Sequence, residues 1–106
     1  MDCIFCKITS GQIPTNFVAV SEHAVAFNDI SPRQPLHVLV VPKKHFTDVS
    51  ELTKAAPEIL ADLMALAVQV AGDKSEGSFR LSFNTGEKAG QSVFHAHAHV
   101  TSVEPR

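Results

Sequence analysis

The sequence predicts an α+β domain with an antiparallel sheet, one long amphipathic helix and a short N-terminal helix. Several short runs are rich in β-branched and aromatic residues, whereas only one segment carries a long helical periodicity. The chain has 106 residues, the usual length of one domain. We therefore expect residues 1–106 to form a single domain in which the long helix packs on the sheet.

The first half of the chain predicts a short helix and three strands. The helical turn spans residues 5–10 and is ended by a glycine. The runs Phe17–Val20 and Ala24–Asn28 are β-prone and separated by Ser-Glu-His, a pattern typical of a hairpin. Residues 36–41 form a nearly continuous apolar run that predicts a central strand, and Pro42 ends it.

The second half predicts one long helix. Apolar residues recur at helical spacing over residues 59–70, with polar residues on the opposite side. Ser50 or Thr53 is expected to cap this helix, and Pro57 is tolerated only in its first turn. Two glycines bracket its end, Gly72 and Gly77.

Two further strands complete the predicted sheet. Residues 79–84 alternate as a strand, residues 85–90 form a glycine-bounded loop, and residues 91–100 form the last strand. Within that strand His95, His97 and His99 are spaced two residues apart, so their rings share one face. Because imidazole titrates near neutrality, such a row suits metal binding, nucleophilic attack or proton transfer.

Composition and charge argue against several classes of partner. Nine basic and eleven acidic residues give a net charge of −2, and no basic run predicts a nucleic-acid partner. The N-terminus lacks the features of a secretory signal. The most apolar segment, residues 59–71, is too short to span a bilayer, so we expect no membrane partner and a cytoplasmic location.

The two cysteines, Cys3 and Cys6, have the C-x-x-C spacing. In a small cytosolic protein this spacing indicates a metal site or a redox site more often than a structural disulfide. Zinc is the favoured interpretation, but it requires two more ligands, and histidine is the available donor. The alternative is that both cysteines are small buried apolar residues.

Five blocks, in order along the chain, carry a resemblance to a known family. The chain resembles the histidine-triad nucleotide-binding (HIT) family, whose signature His-φ-His-φ-His-φ-φ occurs here at residues 95–101. The other four blocks are residues 3–8, 27–32, 36–45 and 84–93. The resemblance implies a HIT-like fold and a two-fold homodimer. Two stretches depart from the family pattern: the tail, residues 101–106, and the charged pair Glu87 and Lys88.

The resemblance also implies roles for individual residues. His97 would be the nucleophile that forms a nucleotidyl-histidine intermediate, and His99 and His37 would border the phosphate. Phosphate contacts would come from Asn84, from the Ser92 hydroxyl and from the backbone N–H groups of Gly90, Gln91 and Ser92. Asp29 would accept from the ribose hydroxyls. The base would lie in an apolar slot formed by Ile8, Phe17, Phe27 and Ile30.

A structural zinc site is implied in the same way. In bacterial relatives that the chain resembles, the ligand set corresponds to Cys3, Cys6, His45 and His95, a closed Cys2His2 site. Some of these residues also have simpler interpretations: His45 as a solvated loop histidine, Ser92 as a turn residue, and Asp29 as the acceptor of an Asx-turn before Pro32.

The function implied by the resemblance is hydrolysis of purine nucleoside phosphoramidates, in which adenosine 5'-monophosphate (AMP) is linked to an amine. Two alternatives remain open: a dinucleoside polyphosphate hydrolase or nucleotidyl transferase on the same scaffold, and a purine-nucleotide-binding regulatory module.

Overall fold

The computed structural model describes residues 3–103 and confirms the predicted α+β class. Within this range three α-helices and five strands follow one another as α1 Ile4–Thr9, β1 Phe17–Val20, β2 Ala24–Asn28, β3 Leu36–Pro42, α2 Val49–Ala55, α3 Pro57–Ser75, β4 Arg80–Ser82 and β5 Ala98–Ser102, with one turn of 3-10 helix, Glu87–Ala89, between β4 and β5. None of these helices is long and apolar enough to cross a membrane. The unusual tail noted in the sequence lies partly outside the described residues.

The five strands form one antiparallel sheet in the order β1-β2-β3-β5-β4. Every residue of β3 is buried, which confirms its prediction as the central strand. The non-sequential pairing of β3 with β5 places Leu39 opposite His99 and His37 opposite Thr101. The sheet therefore brings side chains from distant parts of the chain onto one face.

Each face of the sheet is covered by a different helix. The helix α3 contributes Leu63, Leu66 and Val70 to a core that also contains Ala96 and Ala98. On the other face α1 packs over the sheet through an apolar cluster that includes Phe5 and Ile8 from α1 and Val25, Phe27, Leu39 and Val41 from the strands. Side chains alternate between the two faces of an extended chain. Because Ala96 and Ala98 are buried on the α3 side, the three histidines of the signature lie on the α1 side.

The predicted long amphipathic helix is confirmed as α3, but its start differs from the expectation, because a separate short helix, α2, precedes it and the chain breaks between the two at Ala56. A residue before proline is disfavoured in the helical conformation, and Ala56 has φ −150° and ψ 67°. Pro57 then occupies the first turn of α3, as expected. The cap of α2 is Asp48, whose side chain accepts from the Glu51 N–H at 2.9 Å.

The residues predicted as caps have other positions. Ser50 and Thr53 lie inside α2, where the Thr53 hydroxyl donates to the Val49 carbonyl. At the other end α3 terminates at Glu76, which has φ 55°, followed by Gly77. Gly72 lies within the helix.

The predicted strand at residues 91–100 is too long at its start, since β5 begins at Ala98. The preceding residues bond elsewhere: the Ala96 N–H donates to the Phe46 carbonyl at 2.7 Å. Opposite these residues β3 ends in Pro42, which has no N–H to donate to a neighbouring strand. The Pro42 carbonyl instead faces the His95 ring. The strand predicted at residues 79–84 is likewise shorter, spanning Arg80–Ser82. The short N-terminal helix begins one residue earlier than predicted and ends one residue earlier.

Candidate functional site

A cavity of about 620 Å³ lies on the face of the sheet beside α1. The family-implied histidines His37, His97 and His99 all line it. So do seven of the residues expected to contact a nucleotide: Ile8, Phe27, Asp29, Ile30, Asn84, Gly90 and Ser92. Two expected residues, Phe17 and Gln91, are not part of its lining.

His97 is held in one tautomer by the backbone. Its Nδ1 lies 2.8 Å from the His95 carbonyl oxygen, which can only accept, so Nδ1 carries the proton. The lone pair is then on Nε2. Burial lowers the pKa of His97 below its ordinary value. A neutral ring with a free Nε2 lone pair, lining a cavity, is equipped for nucleophilic attack.

His37 and His99 form a hydrogen-bonded pair in which each ring carries its proton on Nε2, whereas His97 carries its proton on Nδ1. The Arg33 backbone N–H donates to His37 Nδ1 at 3.1 Å, so the proton of the neutral His37 ring is on Nε2. That Nε2 lies 3.0 Å from His99 Nδ1 and 3.3 Å from Asp29 Oδ2. Donation to His99 Nδ1 leaves the His99 proton on Nε2, so His99 can act as a hydrogen-bond donor.

The pKa of His99 is also depressed. Burial is the main cause, and the neighbouring His97 and His37 add to it, lowering the pKa to about 4. The ring centroids of His97 and His99 are 5.1 Å apart. Two rings so close cannot both be charged without mutual repulsion, so the pair favours the neutral state.

The loop after β4 shapes one wall of the cavity through internal hydrogen bonds. The Asn84 side-chain amide donates to the Ala89 carbonyl at 2.8 Å. Gly90 has φ 89°, a conformation that favours glycine, and a Cβ there would lie 3.3 Å from the Asn84 side chain. Asn84 and Gly90 therefore pack against each other at the cavity wall.

The Gln91 side chain stabilises this loop through hydrogen bonds. Its side chain is buried, accepts from the Gly86 N–H at 2.8 Å and donates to the Thr47 and Val93 carbonyls. The backbone N–H groups of Gly90 and Gln91 donate to Glu87 and Gly86 carbonyls. In this structure these two N–H groups therefore bond within the loop, whereas Ser92 is exposed and lines the cavity. Their contact with a phosphate stays a prediction.

The apolar end of the cavity differs in part from the expected slot. Ile8 and Phe27 are buried and line it, but Ile30 is 97% exposed at its rim. Phe17 stands behind Phe27, with ring centroids 6.4 Å apart. The residue that sequence reasoning missed is Phe5, which lines the cavity and contacts the His97 ring edge-on at 5.1 Å. Its spacing of three residues from Ile8 in a helix was the available signal.

Asp29 has more than one contact. One carboxylate oxygen accepts from the Ser31 N–H at 2.8 Å, which forms the Asx-turn. The other lies near His37 and the cavity. The turn interpretation and a contact to a ligand are therefore compatible.

A second cluster, next to the histidine row, contains Cys3, Cys6, His45 and His95. Their donor atoms all lie within 4.8 Å of one another. Cys3 Sγ is 3.3 Å from His95 Nδ1, Cys6 Sγ is 3.3 Å from His45 Nδ1, and the two Nδ1 atoms are 3.2 Å apart. A tetrahedral ion with bonds of about 2.0–2.3 Å requires such separations between its ligands.

The chemistry of the donors also fits a metal. His95 Nε2 lies 2.9 Å from the Pro42 carbonyl, which places the proton there and leaves the Nδ1 lone pair facing the thiols. Burial and the neighbouring Cys3 raise the pKa of Cys6 to about 11. A bound dication reverses this effect, because it stabilises the thiolates. The four residues can therefore hold a metal ion.

A third grouping of possible ligands, Asp29, His37 and His99, is arranged differently. Here the Arg33 N–H occupies His37 Nδ1, so the Nε2 that faces the other two residues carries a proton. A protonated nitrogen cannot ligate a metal. The geometry favours a hydrogen-bonded chain at this position.

His95 connects the metal cluster to the cavity. Its side chain belongs to the cluster, while its carbonyl fixes the His97 tautomer. Phe5, between the cluster residues Cys3 and Cys6, contacts both histidine rings edge-on. The two sites therefore share structural support.

Comparisons with known proteins agree with this architecture. A family model described as "Scavenger mRNA decapping enzyme C-term binding" matches residues 2–105. A HIT-like protein of Synechocystis is 39% identical and covers 98% of this chain and 92% of its own length. A HIT family hydrolase from Clostridium thermocellum has a TM-score of 0.88 at 39% identity, covering 95% of this chain and 90% of that one.

A zinc-bound histidine triad family protein from Mycobacterium smegmatis aligns over 100% of this chain and 76% of its own, with a TM-score of 0.80 and 34% identity. Sequence and fold thus agree over nearly the whole length. The chain belongs to the histidine-triad (HIT) family.

Proposed function

We propose that the protein hydrolyses purine nucleoside phosphoramidates, in which AMP is linked to an amine, through a nucleotidyl-histidine intermediate on His97. The observation that carries this proposal is the 2.8 Å contact between His97 Nδ1 and the His95 carbonyl, which leaves the Nε2 lone pair free in a ring that lines the cavity. The similarity to a HIT family hydrolase supports a hydrolytic reaction.

The reaction proceeds in two displacements. In the first, His97 Nε2 forms a bond to phosphorus and the P–N bond breaks, with its electron pair remaining on the amine nitrogen, which takes up a proton. In the second, water attacks phosphorus and gives up a proton, which replaces the one transferred to the amine in the first step; the bond to His97 breaks, its electron pair returns to Nε2, and AMP is released with the neutral ring restored. Two in-line displacements give net retention of configuration at phosphorus.

The neighbouring residues stabilise this sequence. The His99 Nε2–H, oriented by His37, donates to a non-bridging oxygen or assists proton delivery to the leaving nitrogen. The Ser92 hydroxyl and Asn84 provide polar contacts to the phosphate. Asp29 accepts from the ribose hydroxyls, and the base lies between Phe27 and α1, against Ile8 and Phe5.

We further propose that the metal held by Cys3, Cys6, His45 and His95 is zinc in a closed Cys2His2 site. Two thiolates and two imidazoles are the ligands that structural zinc prefers. Such an ion would link separate parts of the chain. It would not take part in catalysis, because four protein ligands leave no coordination position for water. Cys3 and Cys6 form no disulfide, and cysteines that hold a metal in this way are typical of a reducing compartment, so we propose a cytoplasmic location.

The protein is also proposed to act as a homodimer through α3. The helix buries one side in the core, yet Met64 is 37% exposed and Val68 is 58% exposed on another side. These two residues are one helical turn apart and form an apolar patch together with Ala61 and Ala65. A second copy of the chain is the partner that would cover this patch.

The proposal is tested by turnover of a fluorogenic adenosine phosphoramidate. His97→Ala and His97→Gly are expected to lower kcat by about 10³-fold or more, because the nucleophile is lost. His23→Ala is the matched control, since His23 lies in the β1–β2 turn outside the cavity lining. Retention of activity in both His97 variants would eliminate the nucleophile assignment.

A further inference from the structure

The cavity has two ends of opposite character. Around Phe5, Ile8 and Phe27 its lining is apolar. The lining also includes two arginines, Arg33 and Arg80. The proposed phosphoramidate chemistry uses the apolar end and the histidines but gives no role to the arginines.

The sheet register places Arg80 and Phe27 on opposite sides of the histidines. Arg80 pairs with Thr101, which in turn pairs with His37. Phe27 is on β2, separated from β5 by β3, whereas Arg80 is on the edge strand β4 next to β5. Neighbouring strands are about 4.8 Å apart, so the two ends of the cavity lie on either side of His99.

Arg33 approaches the same histidines from the loop before β3. Its backbone N–H contacts the His37 ring at 3.1 Å. Burial is the main reason that the pKa of His99 is low, followed by the neighbouring His97 and His37; Arg33 acts weakly in the same direction and Asp29 in the opposite one. Because Arg33 contacts His37 and lines the same cavity as His97 and His99, its side chain is placed to act on a ligand bound there.

Neither guanidinium is neutralised by the described part of the chain. Within residues 3–103 no carboxylate lies within ion-pair distance of Arg33 or Arg80. Gln34, Ser82 and Thr101, which also line the cavity, are uncharged, and the carboxylate in the lining, Asp29, contacts His37. Two cations without an ion-pair partner among residues 3–103 can attract an anionic group of a ligand.

When a nucleotide is positioned for attack by His97, the leaving group on its phosphorus therefore lies near Arg33 and Arg80. With the base at the apolar end and phosphorus at the histidines, the departing substituent is the part of the substrate that extends toward β4. We propose that Arg33 and Arg80 form a leaving-group subsite that selects substrates whose leaving group carries a carboxylate or a phosphate. This inference rests on the proposed phosphoramidase function and specifies its substrate class.

The test compares two phosphoramidates that differ only in leaving-group charge. One links AMP to the α-nitrogen of aspartate, and the other links AMP to the same nitrogen of aspartate diamide. The wild-type kcat/KM is expected to be about tenfold higher for the aspartate compound. In the double variant Arg33→Gln, Arg80→Gln this ratio is expected to fall to about one, mainly through a higher KM for the charged substrate.

Three comparisons make the assignment specific. The variant Arg33→Lys, Arg80→Lys keeps the charge and is expected to retain part of the ratio. Lys54→Gln removes an exposed cation from α2, away from the cavity, and is expected to leave the ratio unchanged. Raising the ionic strength is expected to reduce the ratio for the wild type, which a purely structural role of the arginines would not produce.

A dinucleoside tetraphosphate distinguishes the two sources of negative charge. If its hydrolysis depends on the arginines and the aspartate ratio is near one, the subsite takes phosphate. If neither charged substrate responds to the double variant while the neutral diamide is hydrolysed, the subsite is refuted and the phosphoramidase function stands. Absence of turnover of all three substrates would instead refute both.

Discussion

Three histidines around the site differ in chemistry because each contacts a different backbone group. His95 Nε2 and His97 Nδ1 face carbonyl oxygens, so each ring keeps a lone pair on its other nitrogen. His37 Nδ1 instead faces the Arg33 N–H, which leaves a proton on its other nitrogen. One residue type thus provides a metal ligand, a nucleophile and a hydrogen-bond donor.

The lowered pKa values of the cavity histidines predict the pH profile of the reaction. Burial keeps His97 neutral at neutral pH, and the pKa of His99 is about 4. Protonation of His97 removes its lone pair, so activity is lost as the pH falls through that lowered pKa. We expect kcat/KM to be flat around pH 7, with an acid limb below about pH 6.5, the ordinary value for histidine.

A profile of kcat/KM between pH 4 and pH 8 measures this limb directly. The His23→Ala variant should give the same profile as the wild type, because its ring does not line the cavity. An acid limb centred above pH 6.5 would contradict the neutral, buried state of His97.

At the scale of elements, the hydrophobic periodicity of the sequence and its glycine and proline positions were sufficient to predict most of the sheet. The alternation around β5 placed the three histidines on one face, and the apolar run at residues 36–41 identified the central strand. Local patterns did not reveal that Ala56 separates two helices, although the following proline favours such a break. The role of Gln91 was not predictable, because it depends on the Thr47 carbonyl, 44 positions away in sequence.

The exposed side of α3 leads to a prediction about association. Val68→Glu places a charge in the apolar patch of the proposed interface, so we expect it to convert a dimer into a monomer in analytical ultracentrifugation. Val20→Glu is the matched control, since Val20 is 54% exposed but lies on β1. A monomeric wild type at micromolar concentration, or a dimer unaffected by Val68→Glu, would exclude this interface.

At the scale of the whole molecule, the metal cluster joins α1 to the rest of the fold. This helix has six residues, too few to be stable alone, and it supplies Cys6 to the cluster and Phe5 and Ile8 to the cavity wall. His45 and His95 provide the other attachment points, from separate parts of the chain. Holding α1 in place therefore completes the cavity.

Metal removal is expected to destabilise the protein and weaken nucleotide binding together. Chelation or Cys3→Ser should lower Tm by about 5 °C or more, the shift for about 1 kcal/mol in a domain of this size, and should raise the Kd for AMP. The control Ser10→Ala changes the exposed cap of α1 without touching the cluster. Elemental analysis should find near-stoichiometric zinc in chelator-free wild type, and its absence would refute the zinc assignment.

The two attachments of His95 have a consequence for genetic analysis. Its ring and its carbonyl belong to different sites, yet both depend on the same backbone position. Defects introduced at Cys3 and at His97 are therefore not independent, and their combined effect will differ from the sum of the separate ones. Epistasis between the two ends of the polypeptide is built into this single residue.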